Sequence, residues 1–200
     1  MKLYSYVVAR DFGFAPNPFD GVCTLATCKP KIREAATVGD WVVGTGSKRY
    51  GLGGKLVFAM QVSEKLSYDE YWKDLRYRSK RPNLQGSLKQ AYGDNIYHRN
   101  SRTKEWKQED SHHSFKDGSK NPANVKHDTQ SPIVLIGANF TYYGAAAIPI
   151  PKKFCNATID VSAHRGHKSN FPEEFVEAFT AWLQGLGARG YVAAPAEFPK

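Results

Sequence analysis

Val38-Gly39-Asp40-Trp41-Val42-Val43-Gly44, a glycine-rich link through Gly54, and Lys55-Leu56-Val57-Phe58-Ala59-Met60-Gln61-Val62 read in order as turn, strand, loop and strand. The apolar runs are short and rich in Val and aromatic residues, which favours strands over helices. A flexible link between two such runs makes a hairpin. Working outward, Leu3-Tyr4-Ser5-Tyr6-Val7-Val8-Ala9 alternates as a first strand. Ile133-Val134-Leu135-Ile136-Gly137, wholly apolar after Pro132, predicts a buried central strand. Tyr142-Tyr143-Gly144 and Ile148-Pro149-Ile150-Pro151 suggest a further strand and edge pieces, because proline is confined to edges. Helices are predicted after Pro30, after Ser67 with Asp69 and Glu70 in the first turn, and over 170–186. In the last, Asn170 is the expected cap, and Phe175, Val176, Phe179, Trp182 and Leu183 form an apolar stripe. The expected fold is α+β: a mixed, barrel-like sheet with flanking helices.

The 200 residues suit a single domain spanning 1–200, and 41% hydrophobic content suits a packed core. Lys and Arg number 28 against 19 Asp and Glu, a net charge of +9. Twelve of the basic residues and only six acids fall in 73–120. With 101–130 poor in apolar anchors, 73–130 reads as a long basic insertion lying over one face. Surplus positive charge favours polyanionic partners such as DNA, RNA or a nucleotide, with a solvated basic surface as the plainer reading. The three cysteines, Cys23, Cys28 and Cys155, and the strand-like start suit a cytoplasmic protein. No run approaches the roughly 18 apolar residues of a membrane span.

The glycine-rich link is neither of the common phosphate-binding signatures. Leu56 follows Gly54-Lys55 where a Walker A loop needs Ser or Thr, and Arg49 replaces the third glycine of a dinucleotide fingerprint. Ser47, Lys48 and Arg49 can still hold a phosphate through backbone amides and charge. Cys23 and Cys28 lack third and fourth ligands, so no structural metal is expected. Cys28 beside Lys29 has the setting of a reactive thiol, although an inert buried thiol is commoner. Asp94 and His98 are four apart and would share a helical face as orienting acid and general base. His164 and His167 flank Arg165 and Gly166 in a basic cluster beside Lys168.

Gly13-Phe14-Ala15-Pro16-Asn17-Pro18-Phe19, Cys23-Thr24-Leu25-Ala26 and Cys28-Lys29-Pro30-Lys31-Ile32-Arg33 closely resemble the start of a nucleotide modification associated domain, the second family of that name. Gly39-Asp40-Trp41-Val42-Val43-Gly44-Thr45-Gly46-Ser47 and Gly93-Asp94-Asn95-Ile96-Tyr97-His98 extend the resemblance over most of the chain. It implies association with bacterial and phage systems that build or handle modified DNA bases. Separately, the turn and hairpin at 38–62 look like those of PUA-like folds, including EVE and ASCH domains, which implies a small, partly closed barrel that binds RNA or modified bases.

These readings place a pocket between the loop at 11–29, the glycine-rich hairpin and 94–98. In a binding domain, Asn17 and Asn95 would read base edges, while Lys29, Ser47, Lys48, Arg76 and Arg78 hold phosphate. In an enzyme, His98 would act as general base oriented by Asp94, with Thr24 or Cys28 at the reacting centre. A third expectation is an interaction module whose basic surface meets an acidic protein. No particular cofactor is implied.

Overall fold

The hairpin around the glycine-rich link forms with Trp41 opposite Gln61 and Val42 opposite Met60. The computed structural model describes residues 1–162 and 166–199. Its strands are β1 (Leu3–Val8), β2 (Cys23–Leu25), β3 (Trp41–Gly46), β4 (Lys55–Gln61), β5 (Glu64–Ser67), β6 (Tyr97–Arg99), β7 (Trp106–Gln108), β8 (Ile133–Gly137), β9 (Asn139–Tyr142), β10 (Ile148–Pro149) and β11 (Gly190–Tyr191). The α-helices are α1 (Pro30–Ala35), α2 (Tyr68–Lys73), α3 (Leu88–Ala91), α4 (Pro122–Asp128) and α5 (Glu173–Gly185). His164 and Arg165, half of the basic cluster read from the sequence, lie outside the described residues.

The larger sheet runs β1-β3-β4-β9-β11, with β10 paired to β4. Strand alternation divides its side chains between two cores. Leu3, Trp41, Val43 and Leu56 face α5, packing with Phe175, Val176, Phe179 and Leu183. Tyr4, Tyr6, Val42, Phe58 and Met60 face a smaller sheet, β2-β8-β5, meeting Leu25 and Leu135. On the far side of that smaller sheet, Val134 and Ile136 meet Tyr68 and Tyr71 of α2, along with Ile96 and Tyr97. The helix α2 starts as its sequence requires, with Ser67 and Glu70 forming a reciprocal capping box. Strands β6 and β7 make a separate two-stranded ribbon.

Three expectations need correction. The sheets do not close into a barrel: β1 and β11 end the larger sheet without pairing to each other. Layering explains this, since α5 covers one face and the smaller sheet the other, so both apolar faces are buried without closure. Residues 73–130 are not a polar excursion either. They contribute Tyr77, Ile96, Tyr97 and Val125 to the third core and bury Lys80, Asp94, Asn95 and Asp128. Finally, α5 begins at Glu173 with Pro172 in the cap position and no side-chain cap, so Asn170 lies outside the helix.

Candidate active site

Where β1 ends, the chain runs over a cavity of about 770 Å³. Val8, Arg10, Phe12 and Phe14 line it from the first strand and the loop that follows. Cys28, Lys29 and Lys31 line it from the start of α1, His112 and His113 from the loop before α4, and His167 from a later segment. Cys28 and Lys29 both take the left-handed conformation, φ 57° and 40°. Two consecutive non-glycine residues in that region are uncommon and are kept only where surrounding contacts fix them, as at functional sites.

Those contacts are specific. The Cys28 amide donates to Asp128 Oδ1 at 2.8 Å, and the Cys28 carbonyl accepts from Arg33 Nε at 2.8 Å. The fully buried Arg33 guanidinium also donates to the carbonyls of Asp128 and Ile133, each at 2.6 Å, and to that of Ser131. It therefore ties the cysteine turn to the end of α4. Asp128, buried at that end, accepts from Tyr97 Oη at 2.9 Å and pairs with His113 Nδ1 at 2.8 Å. The other ring nitrogen, His113 Nε2, lies 3.8 Å from Cys28 Sγ. Thiol, imidazole and carboxylate thus stand in series.

Electrostatics follow from this packing. Burial works against a charged His113, but the hydrogen bond to Asp128 and the contact with Cys28 outweigh it, raising its pKa to about 9. Asp128 is held below the ordinary carboxylate range: burial opposes its charge, and the bond and charge of His113 prevail. His112, its ring 4.7 Å from Phe12, is pushed down to about 4 by burial and then by the charges of His113 and Arg10. At neutral pH one neighbour is an imidazolium and the other a neutral ring.

Of the residues singled out in the sequence, Cys28, Lys29 and His167 line this cavity; Asn17, Ser47 and His98 do not, so the pocket expected to join them is not the one found. Asp94 and His98 do not form a helical pair, because α3 ends at Ala91 and His98 lies on β6. His98 instead meets Glu109 at 2.7 Å and stacks on Trp72. Asp94 is buried and accepts from Thr24 Oγ1 at 2.6 Å and from Tyr71 Oη at 2.8 Å. Asn17 joins the same interior, accepting from buried Lys80 Nζ at 2.7 Å, while Asn95 Nδ2 donates to the Tyr71 carbonyl at 2.9 Å. These residues staple the opening loop to the 73–99 segment. Ser47 caps a single 3₁₀ turn, and Lys48 and Arg78 are exposed on the surface. Arg76 is committed to Glu64 at 2.8 Å and Asp74 at 2.6 Å.

Sequence reasoning missed His113, Asp128 and Arg33. The usable signal was a cysteine in a reactive setting with histidines far along the chain, since such partners meet in space and not in sequence. Among the described residues no group of three or more His, Cys, Asp or Glu is placed to hold a metal, and no helix is long and apolar enough to cross a membrane.

Fold and site together give an α+β protein in which a cysteine, a histidine and an aspartate stand in series beside a cavity with basic side chains in its wall. The chain belongs to the family described as Nucleotide modification associated domain 2, which it matches over residues 1–200. Comparison with curated proteins and with solved structures gave no match.

Proposed function

We propose that this protein is a thiol-dependent enzyme acting on a nucleotide, with Cys28 as nucleophile, His113 as acid and base, and Asp128 as the group that orients and charges His113. The observation carrying this is the series of contacts from buried Asp128 through His113 to Cys28, 2.8 Å and then 3.8 Å. Relays of this kind are recognised by geometry and roles, whatever the fold. In the reaction, Cys28 Sγ attacks an electrophilic carbon and forms a C–S bond. The electron pair displaced onto the attached heteroatom takes a proton from His113 Nε2. An incoming acceptor then breaks the C–S bond, returning its proton to His113 and releasing the thiolate. The family's association with nucleotide modification supports a nucleotide as the molecule attacked.

A binding module that reads nucleic acid is the second reading, supported by the net charge of +9. It gives the relay no role. The test is to incubate native and Cys28→Ala protein with a nucleotide extract, then measure intact protein mass and the modified nucleotides. A mass increase mapped to Cys28, and product formation lost in the variant, are expected. Identical nucleotide profiles and no adduct on the native protein would leave the binding module standing.

A further inference from the structure

Arg10, Lys29 and Lys31 line the cavity together with His167, and among the described residues lining it there is no Asp or Glu. Arg10 is already neutralised, its guanidinium bonded to Glu197 at 2.9 Å and 3.2 Å. Lys29 and its neighbours are not. The ammonium of Lys29 donates to the Gly166 carbonyl at 3.2 Å and sits 4.8 Å from the centre of the Tyr6 ring, and among the described residues it has no carboxylate partner. Burial lowers its pKa. His167 is lowered too, first by burial and then by the charges of Lys29 and Lys31. Two ammonium groups and a half-buried imidazole, drawn from two segments, therefore share the cavity wall, and the charges of Lys29 and Lys31 disfavour a charged imidazole, a balance that a bound anion would shift.

Resting on the reading that Cys28 acts on a nucleotide, we infer that Lys29, Lys31 and His167 form a subsite for the terminal phosphate of a free nucleoside monophosphate. Lys29 directly follows Cys28, so a phosphate held there places the rest of the ligand against the thiol and the Phe12 and Phe14 side of the cavity. A terminal phosphate carries a charge of about −1.5 to −2 near neutral pH and offers three acceptor oxygens, which suits three donors. A phosphodiester within a strand carries a single charge and matches them less well. The cavity, about 770 Å³, lies within the size range of small-molecule sites, roughly 300–1,000 Å³.

The test titrates full-length Cys28→Ser protein, which cannot turn over, by calorimetry. The probes are the four 5′-deoxynucleoside monophosphates, their nucleosides and a single-stranded oligonucleotide. At least one monophosphate is expected to bind about tenfold or more tightly than its nucleoside, the margin of charge-assisted contacts. Combining Lys31→Gln with His167→Gln, both on exposed or half-exposed positions, is expected to erase that margin and leave nucleoside affinity in place. Equal affinity for nucleotide and nucleoside, or a margin that survives the double substitution, would overturn the assignment. So would oligonucleotide binding with the monophosphates silent. The thiol is absent from the titrated protein, so this margin is independent of the adduct at Cys28 on which the relay stands or falls.

Discussion

His112 and His113 are adjacent in sequence and electrostatically opposed, and the difference lies in one partner. His113 meets a buried carboxylate; His112 meets Phe12, Phe14 and Tyr92. The pH dependence follows. His113 is raised from 6.5 to about 9, so its contribution to stability is complete below pH 6.5 and is lost as pH rises through 9. His112 is lowered from 6.5 to about 4, so its contribution holds above pH 6.5 and is lost as pH falls through 4. Denaturant unfolding from pH 4 to 10 should show the pair's combined contribution greatest near pH 6.5. In His113→Gln the alkaline decline, on the order of 3 kcal/mol, should flatten. An unchanged alkaline slope in that variant would mean His113 is not held as an imidazolium by Asp128.

Elements are held apart or together by single side chains as much as by periodicity. On β3, a Cβ at Gly44 would lie 2.3 Å from the Phe58 ring and 2.6 Å from Val8 Cγ2, so the ring of β4 packs directly over glycine backbone. Gly44→Ala should therefore cost about 1–3 kcal/mol by overpacking, read as a lower melting temperature. Stability equal to native would show that the core there is loose. The hairpin, β8, α2 and α5 were legible because apolar runs and caps carry local information. The start of α5 was misread because Pro172 takes the cap position, where it fixes the entry geometry without supplying a side-chain acceptor. The stretch 101–130 was misread for a deeper reason: what anchors it is polar. Asn121 caps α4, Asp128 closes it, and Arg33, from another segment, receives it. Hydropathy patterns do not register anchors of that kind. Half of the site was legible, since Cys28 and Lys29 are marked by their own neighbours, while His113 and Asp128 are marked only by what they touch.

Across the whole molecule, three layers bring the end of β1, the turn into α1 and the loop before α4 to one cavity. The buried network of Lys80, Asp94, Thr24 and Asn17, in which Asp94 and Thr24 are the catalytic expectations and Asn17 the base-reading one, is part of what holds the opening loop in place for that convergence. The cavity has its own basic lining in Arg10, Lys29 and Lys31, while the Lys and Arg of 73–120, which carry most of the surplus charge, do not line it. The three cysteines give an internal comparison: Cys23 is buried and pushed up to about 12, Cys155 is raised by burial, and Cys28 faces the cavity beside an imidazolium. The rate of iodoacetamide alkylation, mapped by peptide mass spectrometry at pH 7 in native and His113→Gln protein, tests the relay most directly. Cys28 should react first of the three and slow by about tenfold or more without His113. Alkylation of Cys28 at the same rate in both proteins would contradict the relay.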